Sequence, residues 1–88
     1  MREKDCKKNI QAEYDTLKNH RDCISDMVVE LDGKLSGLQE RLDGCEDRPV
    51  TRRAYLAAAE HCQKRLEAMK AALALADAEL LHYLEILQ

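Results

Sequence analysis

The chain lacks the large aromatic side chains that usually fill a compact core. Its 88 residues include no Trp, no Phe and only three Tyr. Large rings supply much of the buried area of a globular domain, so their scarcity argues for a thin seam between helices. A chain of this length forms one domain at most. We therefore predict a single domain over residues 1–88.

Residues that break helices are also scarce. The chain has one proline, Pro49, and three glycines, and Gly44 lies only five positions before the proline. Because helices end where such residues cluster, the sequence predicts a helix over residues 3–43, a turn over 44–49 and a helix over 50–87. The rest of the chain offers no break of similar strength.

The residues of this turn also predict how each helix ends. We expect Gly44 to end the first helix in a left-handed conformation. Asp47 or Thr51 is expected to cap the second helix, since either side chain can accept a hydrogen bond from first-turn amides. Pro49 is tolerated in a first turn.

Long apolar runs are missing as well. No run approaches the ~20 residues that a membrane-spanning helix needs, and no apolar signal-peptide core follows the initial Met-Arg-Glu-Lys-Asp. With 35% charged and 45% hydrophobic residues, the chain is too apolar for intrinsic disorder. We expect a cytoplasmic protein with no membrane span.

Two heptad arrays of apolar residues dominate what is present. The first contains Ile10, Leu17, Ile24, Leu31 and Leu38, with a companion row of Tyr14, Val28, Leu35 and Leu42, and the second contains Ala59, Leu66, Leu73, Leu80 and Leu87. A seven-residue apolar repeat over several heptads is typical of helices that pack side by side. The pattern predicts an all-α, coiled-coil-like antiparallel two-helix hairpin.

Two glycines interrupt the first array. Gly33 and Gly37 each cost about 1 kcal/mol relative to Ala inside a helix. They mark either a kink or a true turn that would divide the helix and give a three-helix bundle. Because Leu31, Leu35 and Leu38 keep their phase across them, we favour a continuous helix, either straight or bent at this point.

Charge distribution favours the antiparallel arrangement. The net charge is +2 over residues 1–21, −6 over 22–47, +4 over 48–70 and −3 over 71–88. A chain folded back at the turn lays blocks of opposite sign against each other, whereas a parallel homodimer would face each block with its own copy. Many weak charge pairs can specify such pairing.

The C-terminal segment is more apolar than one partner helix can cover. Thirteen of the residues 71–88 are apolar and fall on several helix faces, while residues 6–22 opposite them are largely polar. A large exposed apolar patch usually marks an interface. We therefore expect oligomerisation, or a different protein, to complete a bundle.

These features predict a non-enzymatic protein–protein interaction module, such as an adaptor, an assembly factor or a small chaperone, that binds itself or a partner. The chain has no phosphate-binding loop or nucleophile motif, and a two-helix rod has no walled pocket. No cofactor, nucleic acid or small-molecule substrate is expected. The leucines expected to carry the contacts are Leu31, Leu35, Leu38, Leu42, Leu66, Leu73, Leu80, Leu84 and Leu87.

The four cysteines suggest a rival interpretation. Cys6 and Cys23, and Cys45 and Cys62, are both seventeen residues apart. Nested pairs Cys6–Cys62 and Cys23–Cys45 would need the turn to lie at the two glycines, as in disulfide-stapled hairpins of an oxidising compartment. A turn at 44–49 instead places Cys62 opposite about residue 31, too far from another cysteine for a disulfide. Free thiols are the favoured prediction.

Metal and anion sites are the remaining candidates. His20 and Cys23 lie one turn apart, and His61 precedes Cys62, but these half-sites are out of register in the predicted hairpin and a structural zinc needs four ligands. No metal site is expected. The basic residues Arg48, Arg52 and Arg53 either contact an acidic partner or neutralise the acidic residues of the turn, and we favour neutralisation.

A short polar turn precedes a helix that carries Tyr55-Leu56 and Leu66-Glu67. Over about residues 35–87 this layout resembles the small helical-hairpin chaperones of bacterial secretion systems. The resemblance implies a protein that binds a partner through its helix faces and keeps an aggregation-prone subunit soluble.

Overall fold

The computed structural model describes residues 2–88, with side chains from Lys8 onward. Helix α1 spans Arg2–Asp43 and helix α2 spans Pro49–Leu87. The two helices pack antiparallel into a rod of 71 × 15 × 14 Å. The predicted all-α hairpin is confirmed, with both helix boundaries within one residue of the predicted ones.

Helix α1 continues through both glycines without a break. The third helix that a turn at this point would create is therefore absent from residues 2–88. Neither Gly33 nor Gly37 faces the seam: a Cβ built on either one would meet no atom within 4 Å. Because they lie outside the seam, the glycines leave the packing of Leu31 and Leu35 in phase.

The turn ends α1 without the left-handed glycine that the sequence predicted. No residue in the described chain has a positive φ, so the prediction for Gly44 is wrong. The amide of Gly44 still donates to the Glu40 carbonyl at 3.2 Å, and that of Cys45 donates to Leu42 at 3.2 Å. The spacing between donor and acceptor residues thus shortens from four to three. A last turn of this tighter type ends a helix without a positive φ.

The start of α2 also differs from the predicted cap. Arg48 occupies the N-cap position and no side chain bonds to the first-turn amides, so neither Asp47 nor Thr51 is the cap. Pro49 sits in the first turn and has no N–H, which reduces the number of amides that need a partner. The Arg48 carbonyl accepts the first helical bond, from Arg52 at 2.8 Å.

The core is a seam between the two helices, centred on Leu66, which is 2% exposed. Its buried members are Leu31, Leu35, Ala59, Cys62 and Leu66, with Val28, Leu38, Leu42 and Met69 packed against them. In heptad terms the α2 members recur at a (Ala59, Leu66, Leu73, Leu80) and d (Cys62, Met69, Ala76, Tyr83). Burying one leucine of this kind contributes about 2–3 kcal/mol.

The register of the hairpin agrees with the predicted one. The Cys62 thiol donates to the Leu31 carbonyl at 3.4 Å, which places Cys62 opposite residue 31 as expected. The predicted pairing of oppositely charged blocks across the hairpin is seen only in part. Among side chains of residues 8–88, Arg21–Asp77 is the single ion pair that joins the helices. The −6 and +4 blocks lie side by side without an ion pair, because their charged side chains point away from the apolar seam and are exposed.

We predict that Gly33→Ala and Gly37→Ala each raise the free energy of unfolding by about 1 kcal/mol, since Ala is the better helix former and a new methyl group meets no atom. Thermal or urea unfolding followed by circular dichroism measures the change. Gly44→Ala is the control, because Gly44 lies outside α1 and should gain less. A loss of stability at Gly33 or Gly37 would contradict this account of α1.

Candidate functional site

The structure places most of the predicted contact leucines inside the hairpin. Leu31, Leu35, Leu66 and Leu80 are buried, Leu38, Leu42, Leu73 and Leu87 are half-buried, and Leu84 is 37% exposed. Five of the nine, Leu31, Leu35, Leu38, Leu42 and Leu66, lie in the core cluster of the seam, where they hold α1 against α2. A contact between these leucines and another protein stays a prediction, and Leu84 is the member with the most surface available for one.

A different set of apolar side chains faces outward from α2. We call it the outward strip, and its members are Ala68, Ala71, Ala74, Leu75, Ala78 and Leu81, all exposed. They occupy heptad positions b, c and f, on the side of the helix opposite the a and d seam. Leu75 is 68% exposed and Leu81 62% exposed. No charged residue lies among these positions over 18 Å or so of helix.

Charged or polar residues bound the outward strip at both ends. Lys64 and Glu67 precede it and His82 and Glu85 follow it, at the same b, c and f positions and all exposed. Ile86, 49% exposed, continues the apolar surface along one edge. The strip is therefore a defined surface with an apolar middle and polar ends.

The C-terminal segment is apolar on several faces, as the sequence predicts, and its most exposed apolar residues differ from the predicted contact leucines. Leu75, Leu81 and Ile86 were not among the predicted contact residues. The heptad pattern itself held the signal, because residues at b, c and f cannot reach a partner that packs on a and d. Only Leu84 belongs both to the predicted set and to the exposed surface.

A polar layer interrupts the seam on the α1 side of this segment. Arg21 Nε donates to Asp77 Oδ1 at 2.7 Å, and Arg21 Nη1 donates to Asp22 Oδ1 at 3.3 Å. The bond to Asp77, followed by the bond to Asp22, raises the pKa of Arg21. Polar groups inside a heptad seam typically fix register at some cost in stability. Asp77 is thereby turned toward α1 and away from the outward strip.

A second polar contact joins the helices nearer the C-terminus. The Tyr83 hydroxyl donates to Glu13 Oε2 at 3.1 Å. This hydrogen bond, and the negative charge of Glu13, raise the pKa of Tyr83 above its ordinary value. Together with the Arg21–Asp77 pair, it ties the polar N-terminal half of α1 to the apolar end of α2.

The turn arginines Arg48, Arg52 and Arg53 are exposed. Within the described residues none of them forms an ion pair with a carboxylate. Direct contacts that would neutralise the acidic residues of the turn, the favoured explanation, are therefore not seen there. The nearby Arg41 instead lies over the Tyr55 ring, 5.9 Å from its centroid, in cation–π range. An acidic partner for the three arginines stays a prediction.

The histidines and cysteines are dispersed. His20 and Cys23 line a shallow groove with Thr16 and Asn19, and nowhere in the described chain do three metal-ligating side chains converge. Cys23 is exposed, Cys45 half-buried and Cys62 buried, and all three are free thiols. The nested pairs Cys23–Cys45 and Cys6–Cys62 are thus not formed, although the side chain of Cys6 itself lies outside the described residues.

Comparison of the chain with protein-family models, with curated proteins and with solved structures gives no match in any of the three. A search of residues 2–88 likewise finds no helix that is long and apolar enough to cross a membrane.

We predict that Tyr83 ionises at a higher pH in the wild type than in a Glu13→Gln variant. The bond needs protonated Tyr83, so its contribution to stability is present below the ordinary tyrosine pKa of about 10 and is lost as pH rises through the raised pKa. The tyrosinate absorbance of each protein, minus that of its Tyr83→Phe counterpart, isolates this residue. Equal pKa values in both backgrounds would show that Glu13 does not hold the hydroxyl.

Proposed function

We propose that this chain is a non-enzymatic protein–protein interaction module that binds another polypeptide through the outward strip of α2. The observation that supports this most strongly is the exposure of Leu75 and Leu81, 68% and 62%, in a strip whose b, c and f positions from Ala68 to Leu81 carry no charged residue. The roles that fit are adaptor, assembly factor or small chaperone.

Continuity distinguishes this surface, because isolated exposed apolar residues are common on soluble proteins. Here two leucines lie among four exposed alanines on one helix face, and Leu84 and Ile86 extend the surface toward the C-terminus. Alanine side chains let a partner backbone come close, and the leucines provide the apolar area that stabilises contact. A second polypeptide that covers this face removes the most apolar exposed surface of α2 from water.

The alternatives differ in how well the structure supports them. A secretion-system chaperone remains a candidate, since its mode of action needs an exposed helix face of this kind. A disulfide-stapled hairpin is disfavoured, because Cys23, Cys45 and Cys62 are free. Free thiols of this kind are usual in reducing compartments, which supports the proposed cytoplasmic location.

We expect a Leu75→Glu/Leu81→Glu variant to lose bound partner chains while keeping its helix content. Glutamate is a good helix former but cannot be buried without a partner charge. Tagged wild type and variant are recovered under native conditions from the cells that make the protein, and the bound chains, including untagged copies of this chain, are compared by mass spectrometry.

The matched control is Val29→Glu/Val50→Glu, which changes two valines of similar exposure, 70% and 83%, away from the outward strip. The proposal requires that this control retain the partners that the Leu75→Glu/Leu81→Glu variant loses. Identical sets of bound chains in all three preparations would contradict it.

A further inference from the structure

The f positions beyond the two ends of the outward strip carry opposite charge. Lys64 precedes the strip and Glu85 follows it, and both side chains are exposed. They are three heptads apart and share heptad position f, so they lie on the same line along α2, about 31 Å from each other. The apolar residues of the strip fill the interval between them.

We propose that the occupant of the outward strip is a second copy of this chain, with the two α2 helices packed antiparallel around a twofold axis near Leu75. This inference rests on the proposed function, and it adds the identity and orientation of the partner. In this register Ala71 faces Ala78 of the second copy, and the two Leu75 side chains lie close to the axis.

Charge complementarity supports the antiparallel orientation. The twofold axis that sets Ala71 against Ala78 also sets Lys64 of each copy against Glu85 of the other. Each end of the contact therefore has one ion pair between a lysine and a glutamate. A parallel pair would place Lys64 against Lys64 and Glu85 against Glu85. Repulsion between these like charges disfavours the parallel arrangement.

The residues of the strip also suit such a contact. Alanines at the f positions 71 and 78, and at 68 and 74 beside them, allow two helix axes to approach to the short end of the usual range, about 8 Å. Each seam stays intact, because the contact uses b, c and f positions only. The result is four helices in a row, α1–α2–α2–α1, with the polar helices outside.

The contact is one helix wide, so it belongs to the class of small interfaces that associate weakly and reversibly. We therefore expect a monomer–dimer equilibrium that concentration shifts, with dimer at high micromolar protein. Sedimentation equilibrium of the full chain over a wide concentration range, with reductant and at low salt, measures the dissociation constant.

Charge reversal tests the orientation. Lys64→Glu and Glu85→Lys each convert two attractive pairs into two repulsive ones, so each should weaken dimerisation about tenfold. The double variant Lys64→Glu/Glu85→Lys restores opposite charges and should dimerise like the wild type. A parallel dimer would behave differently, since each single change leaves like charges facing each other and gives little loss.

Three results would overturn the inference: a wild type that stays monomeric at the highest concentration, a dimer insensitive to the single reversals, or a double variant that fails to recover. If the wild type is monomeric but another protein is captured through Leu75 and Leu81, the self-association inference fails and the interaction module stands. If it is monomeric and nothing is captured through these leucines, both fail.

Discussion

The packing of Leu66 into the seam beside Leu31 and Val28 is the constraint on which the rest of the structure depends. It joins the only fully buried side chain of the described residues to the middle of α1, and it fixes which face of each helix is used. A heptad seam uses two positions in seven. The five remaining positions of each helix are left to solvent or to another chain, and their composition decides what the molecule can do.

The residues at the heptad positions outside the seam differ between the two helices. On α1 the outward positions carry mainly charged and polar side chains, with Val29 as an exposed exception, so solvent suffices to cover most of them. On α2 the outward positions between Glu67 and His82 carry Ala and Leu, for which water is a poor environment. The polar contacts of Arg21 with Asp77 and of Tyr83 with Glu13 occupy the side of α2 that faces α1. They hold the hairpin in register and leave the apolar outward strip uncovered, which is the basis for assigning a binding role to it.

Much of this fold could be predicted from the sequence. Heptad spacing results from helices that pack side by side, and the single cluster of helix-ending residues results from the turn between them. The seam leucines, the turn and the level of Cys62 all followed from them. The details of the turn did not, since Arg48 as N-cap and Gly44 without positive φ depend on competition between hydrogen-bonding patterns of similar free energy. The exposure of Leu75 and Leu81 did not follow from the number of apolar residues in the segment, because it depends on the helix face that each residue occupies once the a and d positions face α1.

The measurement that tests the central claim most directly is the set of methyl nuclear Overhauser effects of Leu66 in isotope-labelled protein diluted with excess unlabelled protein. Dilution leaves only contacts within one chain visible. The antiparallel hairpin predicts effects from Leu66 to the methyl groups of Leu31 and Val28, which the register brings close to its level, with none to Leu75 or Leu81. If those effects are absent, or appear only between labelled and unlabelled chains in a filtered experiment, the seam joins different molecules and the account of the outward strip fails with it.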